Sequence, residues 1–204
     1  MGLGEAMIRL SLRRPRCNAM TQVVLIRSGA TVYDEQDRVQ GILDVPLSDR
    51  GKAEVVQLVQ RLSEASLSAL YCGPGESVAR TADAVGRALR LRPKQLDELR
   101  NLDQGLWQGL QLGEIKRRNL KLFRQWQDDP RTICPPQGET VEDALERIQS
   151  VLKPLIRRHR DEAFGLVAGE PVAQIIAGYL RRETRVQLDD KVPTGGFEKI
   201  DVLE

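Results

Sequence analysis

Leu25-Ile26-Arg27-Ser28-Gly29 sets a guanidinium and a hydroxyl side by side at the end of an apolar run. A serine hydroxyl becomes a nucleophile only when a base lies within about 3 Å of it. The chain offers one histidine, His159, among Arg157, Arg158 and Arg160, in what reads as a solvated helix end. His159 precedes the apolar segment Ala163–Ala168, so it belongs at the N-terminal end of a strand. Sites in sheets of alternating strands and helices gather at the opposite, C-terminal ends. The imidazole is therefore expected far from Ser28. A thiolate is the other nucleophile to weigh, but Cys72 has no identifiable basic partner and reads as a small packed thiol. Cys17, Cys72 and Cys134 lack metal-ligand spacing and suit a reducing, cytoplasmic setting. No metal and no cofactor is expected.

The elements that must position these groups follow from hydrophobic spacing. Gln22–Arg27 reads as a buried strand ending at Gly29. Ser48 caps a helix carrying Val55, Leu58, Val59 and Leu62 inward. Leu67–Cys72 is a second strand, and Val78, Ala82, Val85 and Leu89 mark the next amphipathic helix. Gln95–Leu102 is expected to be a short strand running into a loop. Leu112–Trp126 is expected to be one charged helix with Ile115, Leu122, Phe123 and Trp126 as its buried side. After the Cys134–Gly138 loop, Thr140 caps a long helix whose stripe is Val141, Leu145, Ile148, Leu152 and Leu155. Pro154 should kink or shorten its last turn. Ala163–Ala168 is a third strand, Val172, Ile175, Ile176 and Tyr179 mark the helix after it, and Phe197–Leu203 is the final strand. This alternation predicts an α/β fold, a three-layer α/β/α sandwich with a mainly parallel central sheet. Residues 1–20 read as a basic N-terminal extension and 21–204 as one domain.

Three segments, by their order and spacing, resemble the histidine phosphatase superfamily with its phosphoglycerate mutase-like fold. Leu25–Thr31 followed by Gly41–Gly51 is similar to that family's Arg-His-Gly-Glu-Thr and Gly-x-x-Asp-x-Pro-Leu-x-x-x-Gly stretches. Leu99–Gly109, with Trp107, is similar to its Leu-Arg-Glu-x-x-x-Gly-x-Trp-Glu-Gly loop. Pro135–Thr140 is similar to its Pro-Pro-Gly-Gly-Glu-Ser helix start, and Tyr71–Pro74 and Val167–Ile176 add weaker matches. The likeness runs from about Gln22 to the C-terminus. It implies a reaction in which a histidine accepts a phosphoryl group, two arginines and a second histidine clamp its oxygens, and an acid protonates the leaving oxygen.

On that pattern the sequence departs at four places. Ser28 stands where the nucleophile belongs, Ser77 where the second arginine belongs, Asn101 at the acid and Gly169 at the second histidine. Only Arg27 of the central set remains. Arg27 either binds a phosphate, sulfate or carboxylate together with Ser28 and Thr31, or is satisfied by protein acceptors. Arg80, one helical turn beyond Ser77, either restores a second positive group or is a surface arginine. Glu139, with Thr140, is first a helix cap and second a pocket rim. Glu170 repels a dianion at the old phosphate site, or pairs with Arg27. The resemblance thus implies a non-catalytic protein of this fold, a pseudoenzyme, that binds a phosphorylated small molecule or an acidic protein group, or serves as an interaction scaffold. The competing class is an active phosphatase or phosphoglycerate mutase-type enzyme with relocated groups.

Composition narrows the partners. A chain of 204 residues is long enough for one domain with a sizeable core. The net charge of +2 gives no electrostatic case for nucleic acid. Basic charge is concentrated at the start, where Arg9, Arg13, Arg14 and Arg16 face Glu5 alone. This is read as a basic tail rather than an arm for an acidic partner. No apolar stretch approaches the ~20 residues of a membrane span. A homo-oligomer is compatible with these features.

Overall fold

The computed structural model describes residues 20–118, 120–128, 134–183 and 193–203. The expected extension therefore lies outside the described residues, except that Met20 already belongs to the first strand, where it pairs with Leu203. Five strands form one sheet: β1 (Met20–Arg27), β2 (Ala69–Cys72), β3 (Lys94–Gln95), β4 (Ala163–Ala168) and β5 (Phe197–Leu203). Their order is β3-β2-β4-β1-β5, and β5 alone runs antiparallel. Seven helices accompany them among the described residues: α1 (Val32–Glu35), α2 (Asp49–Leu62), α3 (Glu76–Leu89), α4 (Leu112–Arg118), α5 (Leu120–Asp128), α6 (Val141–Arg158) and α7 (Val172–Leu180).

The period-two alternation of β1 explains the layering. Val23 and Leu25 join Phe164 and Leu166 in a core covered by α6 and α7. Val24 and Ile26, pointing the other way, pack with Val167 under α2 and α3. Val23 to Ile26 are thus fully buried on both faces of β1. The three-layer expectation is what the chain adopts, and no helix among the described residues is long and apolar enough to cross a membrane.

Three elements differ from the sequence reading. The segment from Gln95 to Leu102 is barely a strand. Lys94 and Gln95 pair with the edge of β2, and a 3₁₀ turn at Asp97–Leu99 then drives Leu99 and Leu102 into the core. The charged helix is two, α4 and α5. Ile115 and Phe123 are buried and pack beside Trp107 with half-buried Leu122, while the Trp126 side chain lies outside the described residues. Pro154 does not end α6, which continues to Arg158. Its buried stripe is Val141, Ala144, Ile148, Leu152, Leu155 and Ile156, with Leu145 only partly covered.

The turn after β1 is clamped by the two helices beneath it. Ser48 caps α2 by accepting from the Gly51 amide at 3.0 Å, and its own amide donates to the Ala30 carbonyl at 2.9 Å. From the α3 side, Thr81 Oγ1 accepts from the Gly29 amide at 3.2 Å and donates to the Ser77 carbonyl at 2.8 Å. A Cβ at Gly51 would lie 1.9 Å from the Ala30 oxygen, a backbone atom that cannot rotate away. Gly51→Ala should therefore destabilise the fold by about 2–3 kcal/mol through overpacking. Urea unfolding that gives an unchanged midpoint would show that α2 can shift freely.

Candidate functional site

The C-terminal ends of β1 and β4 open into a cleft of about 820 Å³, within the range of small-molecule sites. Parallel pairing brings Arg27 level with Ala168, so Ser28 and Gly169 emerge side by side. Ser77 reaches the cleft from the first turn of α3, and Asn101 from the loop after the 3₁₀ turn. All four departures from the family pattern line this one cleft. A Cβ built on Gly169 would lie 3.9 Å from both Ser28 Oγ and Asn101 Nδ2 and 3.6 Å from Val78 Cγ2. Asn101 is fixed there because Nδ2 donates to the carbonyls of Gly41 and Glu170 at 2.9 and 2.8 Å.

Arg27 does not open onto the cleft. Its Nε donates to Glu170 Oε1 at 2.8 Å and its Nη2 to Glu198 Oε1 at 2.7 Å, with the side chain 11 % exposed. Arg181 closes the other side of Glu198, and Gln174 Nε2 donates to the second Glu170 oxygen at 3.0 Å. Of the two alternatives for Arg27, the geometry is that of an internal ion pair. Burial pushes the Glu170 carboxyl above its usual range, and the opposing pull of the Arg27 charge and of the Gln174 and Arg27 hydrogen bonds does not cancel it. Glu198 escaped the sequence reading because only the antiparallel register of β5, with Glu198 opposite Leu25, brings it to Arg27.

The other expected anion contacts are also engaged elsewhere. Thr31 caps α1, its hydroxyl donating to Asp34 at 2.7 Å and accepting from the Asp34 amide. Arg80 pairs with Glu76 at 3.7 Å on the outer face of α3, with its side chain 69 % exposed, and does not line the cleft. It is the surface arginine of the two alternatives. Glu139 does not line the cleft either. Arg147 holds both its oxygens, at 2.6 and 3.0 Å, while also donating to the carbonyls of Glu98, Arg100 and Asn101. No local pattern marks Arg147 for this role. Its position on α6, eight residues past Glu139, lets it pin the loop that carries Asn101.

The imidazole lies away from Ser28. His159 is buried, not solvated as expected: Nε2 meets Tyr71 Oη at 3.0 Å, and Nδ1 meets Ser68 Oγ and Glu162 Oε2, each at 3.1 Å. It terminates α6 below Ala163, so the length of β4, about 20 Å, separates it from the cleft. Burial, with a smaller contribution from the Asp83 charge, pushes the Cys72 thiol up to about 11, so it stays protonated at neutral pH. Ser28 Oγ has no hydrogen-bond partner among the described residues.

What lines the cleft instead is mostly acidic and apolar. Asp34, Asp37, Asp44, Glu54 and Glu170 face Arg38, Arg50 and Arg100. Two of these guanidiniums are paired at once, Arg50 with Glu54 at 3.3 Å and Arg100 with Glu139 at 3.4 Å. Trp107, Ile115 and Phe123 form one wall. Gln104 is 4 % exposed, lines the cleft, and presents a buried Oε1 that meets no donor among the described residues.

The family model described as histidine phosphatase superfamily (branch 1) matches residues 23–191. Phosphoserine phosphatase 1 of Hydrogenobacter thermophilus is 28 % identical over 149 residues, covering 73 % of this chain and 71 % of that protein. A probable phosphoglycerate mutase of Cronobacter sakazakii is 25 % identical over 179 residues, 83 % of this chain and 81 % of its own. Among solved structures, mycobacterial glucosyl-3-phosphoglycerate phosphatase superposes with a TM-score of 0.81 at 21 % identity, over 89 % of this chain and 90 % of that one.

Proposed function

Because this chain belongs to the histidine phosphatase superfamily (branch 1), we propose that it retains the family's frame without its reaction, as a non-catalytic binding protein. The observation that carries this is the fate of Arg27, the one survivor of the phosphoryl clamp. Two carboxylates already hold its guanidinium, one of them from Glu170, which follows the Gly169 that stands at the position the resemblance gives to the second histidine. Asp34, Asp37 and Asp44 line the same cleft. A dianion entering there meets more negative than positive charge in a partly desolvated space, where repulsion is strong. The proposed binding role therefore favours a ligand other than a phosphorylated or acidic group.

Covalent chemistry lacks its parts as well. Ser28 has no base beside it among the described residues, Cys72 is a neutral buried thiol, and the single imidazole serves the far end of the sheet. Phosphoryl transfer depends on positioning and on electrostatic stabilisation of developing charge, and neither group is left to supply it. Incubating the purified protein with a generic phosphate ester should release no phosphate above the buffer rate and trap no phosphoenzyme on acid quench. Turnover that persists through purification and vanishes in Arg27→Ala would overturn the proposal.

A further inference from the structure

We infer that Ser28, Ser77 and the first turn of α3 form a receptor for an uncharged carbonyl group, carried by a ligand whose apolar body lies along Trp107 and Phe123. This rests on the reading of the chain as a non-catalytic binding protein, and it names the ligand class that the cleft takes. Ser28 and Ser77 are only 7 and 2 % exposed, and both line the cleft. Neither hydroxyl meets a hydrogen-bond partner among the described residues. Gln104 Oε1 is the unpaired side-chain atom that solvent cannot reach in that set; the two hydroxyls are not sealed in this way, so they open on the cleft. A Cβ added to Gly169 would fill a point 3.9 Å from both Ser28 Oγ and Asn101 Nδ2 and 3.6 Å from Val78 Cγ2, which marks where these groups converge.

The first turn of α3 adds backbone donors. Thr81 ties it to the end of β1, accepting from the Gly29 amide and donating to the Ser77 carbonyl. The Glu76 amide donates to Asp44 and the Ala79 amide to the Gly75 carbonyl, while the amides of Ser77 and Val78 meet no acceptor among the described residues. Gly75 supplies no side-chain cap. Orphan amides point out of the N-terminal end of a helix, and here Pro74 and Gly75 line the cleft at that end. Amides only donate and hydroxyls can, so the group missing from this cradle is an acceptor oxygen.

Charge decides between a neutral oxygen and an anionic one. The guanidiniums that line the cleft are engaged: Arg38 donates to the Gly109 carbonyl at 2.6 Å, Arg50 pairs with Glu54 at 3.3 Å and Arg100 with Glu139 at 3.4 Å. An anion would give up its hydration without gaining a free cation, whereas a carbonyl exchanges water for equivalent donors. Its partial negative charge also suits the α3 N-terminus. Trp107, Phe123, Ile42 and Leu43 line the same cleft and offer an aromatic and aliphatic surface to the rest of the ligand.

The test uses phenylacetamide, with toluene as the same body lacking the carbonyl, phenylacetate as the charged counterpart, and inorganic phosphate. Saturation-transfer NMR titrations on the intact chain should show the amide binding about tenfold more tightly than toluene or phenylacetate. The double variant Ser28→Ala, Ser77→Ala removes both hydroxyls. It should weaken the amide about tenfold and leave toluene unchanged. Gly169→Ala places a methyl group in the cradle with only ordinary contacts, so it should weaken the amide at least as much at an unchanged thermal midpoint. No binding of the amide, toluene or phenylacetate binding as tightly as the amide, or an unchanged amide affinity in either variant overturns this inference and leaves the non-catalytic reading standing. Preferred binding of phosphate overturns both.

Discussion

Replacing Arg27 with alanine is expected to cost about 3–5 kcal/mol of stability, the range for removing one partner of a buried ion pair. An arginine kept to receive a ligand gives the opposite expectation, because an unpaired cation held for an absent anion is usually a liability to the empty fold. Here the guanidinium joins β1 to the loop after β4 through Glu170 and to β5 through Glu198, so its removal strands two carboxylates. Lysine should recover only part of the loss, since a point charge cannot bridge both acceptors as the planar guanidinium does.

The loss should also depend on pH, with a definite sign. The folded chain already holds the Glu170 proton more tightly than the unfolded chain, whose ordinary value is 4.5. Stability from this group therefore falls as pH rises from that value through the raised native one. Taking away the Arg27 charge removes the main influence that lowers it, which widens the window upward. Arg27→Ala should be more severely destabilised at about pH 8 than at about pH 5, where the stranded carboxyl can take a proton. Urea midpoints that are unchanged from wild type at both values would return Arg27 to the role of an open anion receptor.

How far the sequence reached follows from which interactions are local. Strands and helices carry their periodicity within a dozen residues, and β1, β4, α2, α3 and α6 lie where spacing and caps placed them. The four departures at Ser28, Ser77, Asn101 and Gly169 were legible through resemblance, and the fold brings them to one cleft. The charge around Arg27 was only half legible. Glu170 follows β4 directly and could be weighed as a partner, but Glu198 depends on a register between strands some 170 positions apart, which no local pattern encodes. Thr31 shows the converse failure. Its neighbour three residues on, Asp34, completes a capping box, a local signal present in the sequence that ties the hydroxyl to the helix start rather than to an anion. His159 was placed at the correct end of the sheet, yet its burial was missed because the arginines beside it dominate the local composition.

The largest gain in function should come from rebuilding, and only in combination. Ser28→His alone is expected to leave phosphate release within about tenfold of background, because groups that act as a unit are grossly non-additive. An imidazole at position 28 would face a cleft that Arg27, held by Glu170 and Glu198, does not line and in which Ser77 carries no charge. Gly169 admits a second histidine without backbone strain, since its added Cβ makes only ordinary contacts. Asn101→Glu is the hardest step, because it withdraws the donor that satisfies the carbonyls of Gly41 and Glu170. Order therefore matters: Ser28→His with Ser77→Arg and Gly169→His should remain nearly silent until Glu170→Gly releases one side of Arg27. Adding that fourth change should raise single-turnover phosphoryl transfer by about 10³-fold or more, the scale of restoring an electrostatic clamp to a competent nucleophile. If the three-residue variant is already fully active, the Glu170 carboxylate is no barrier to phosphate, and the closure of the site has another cause.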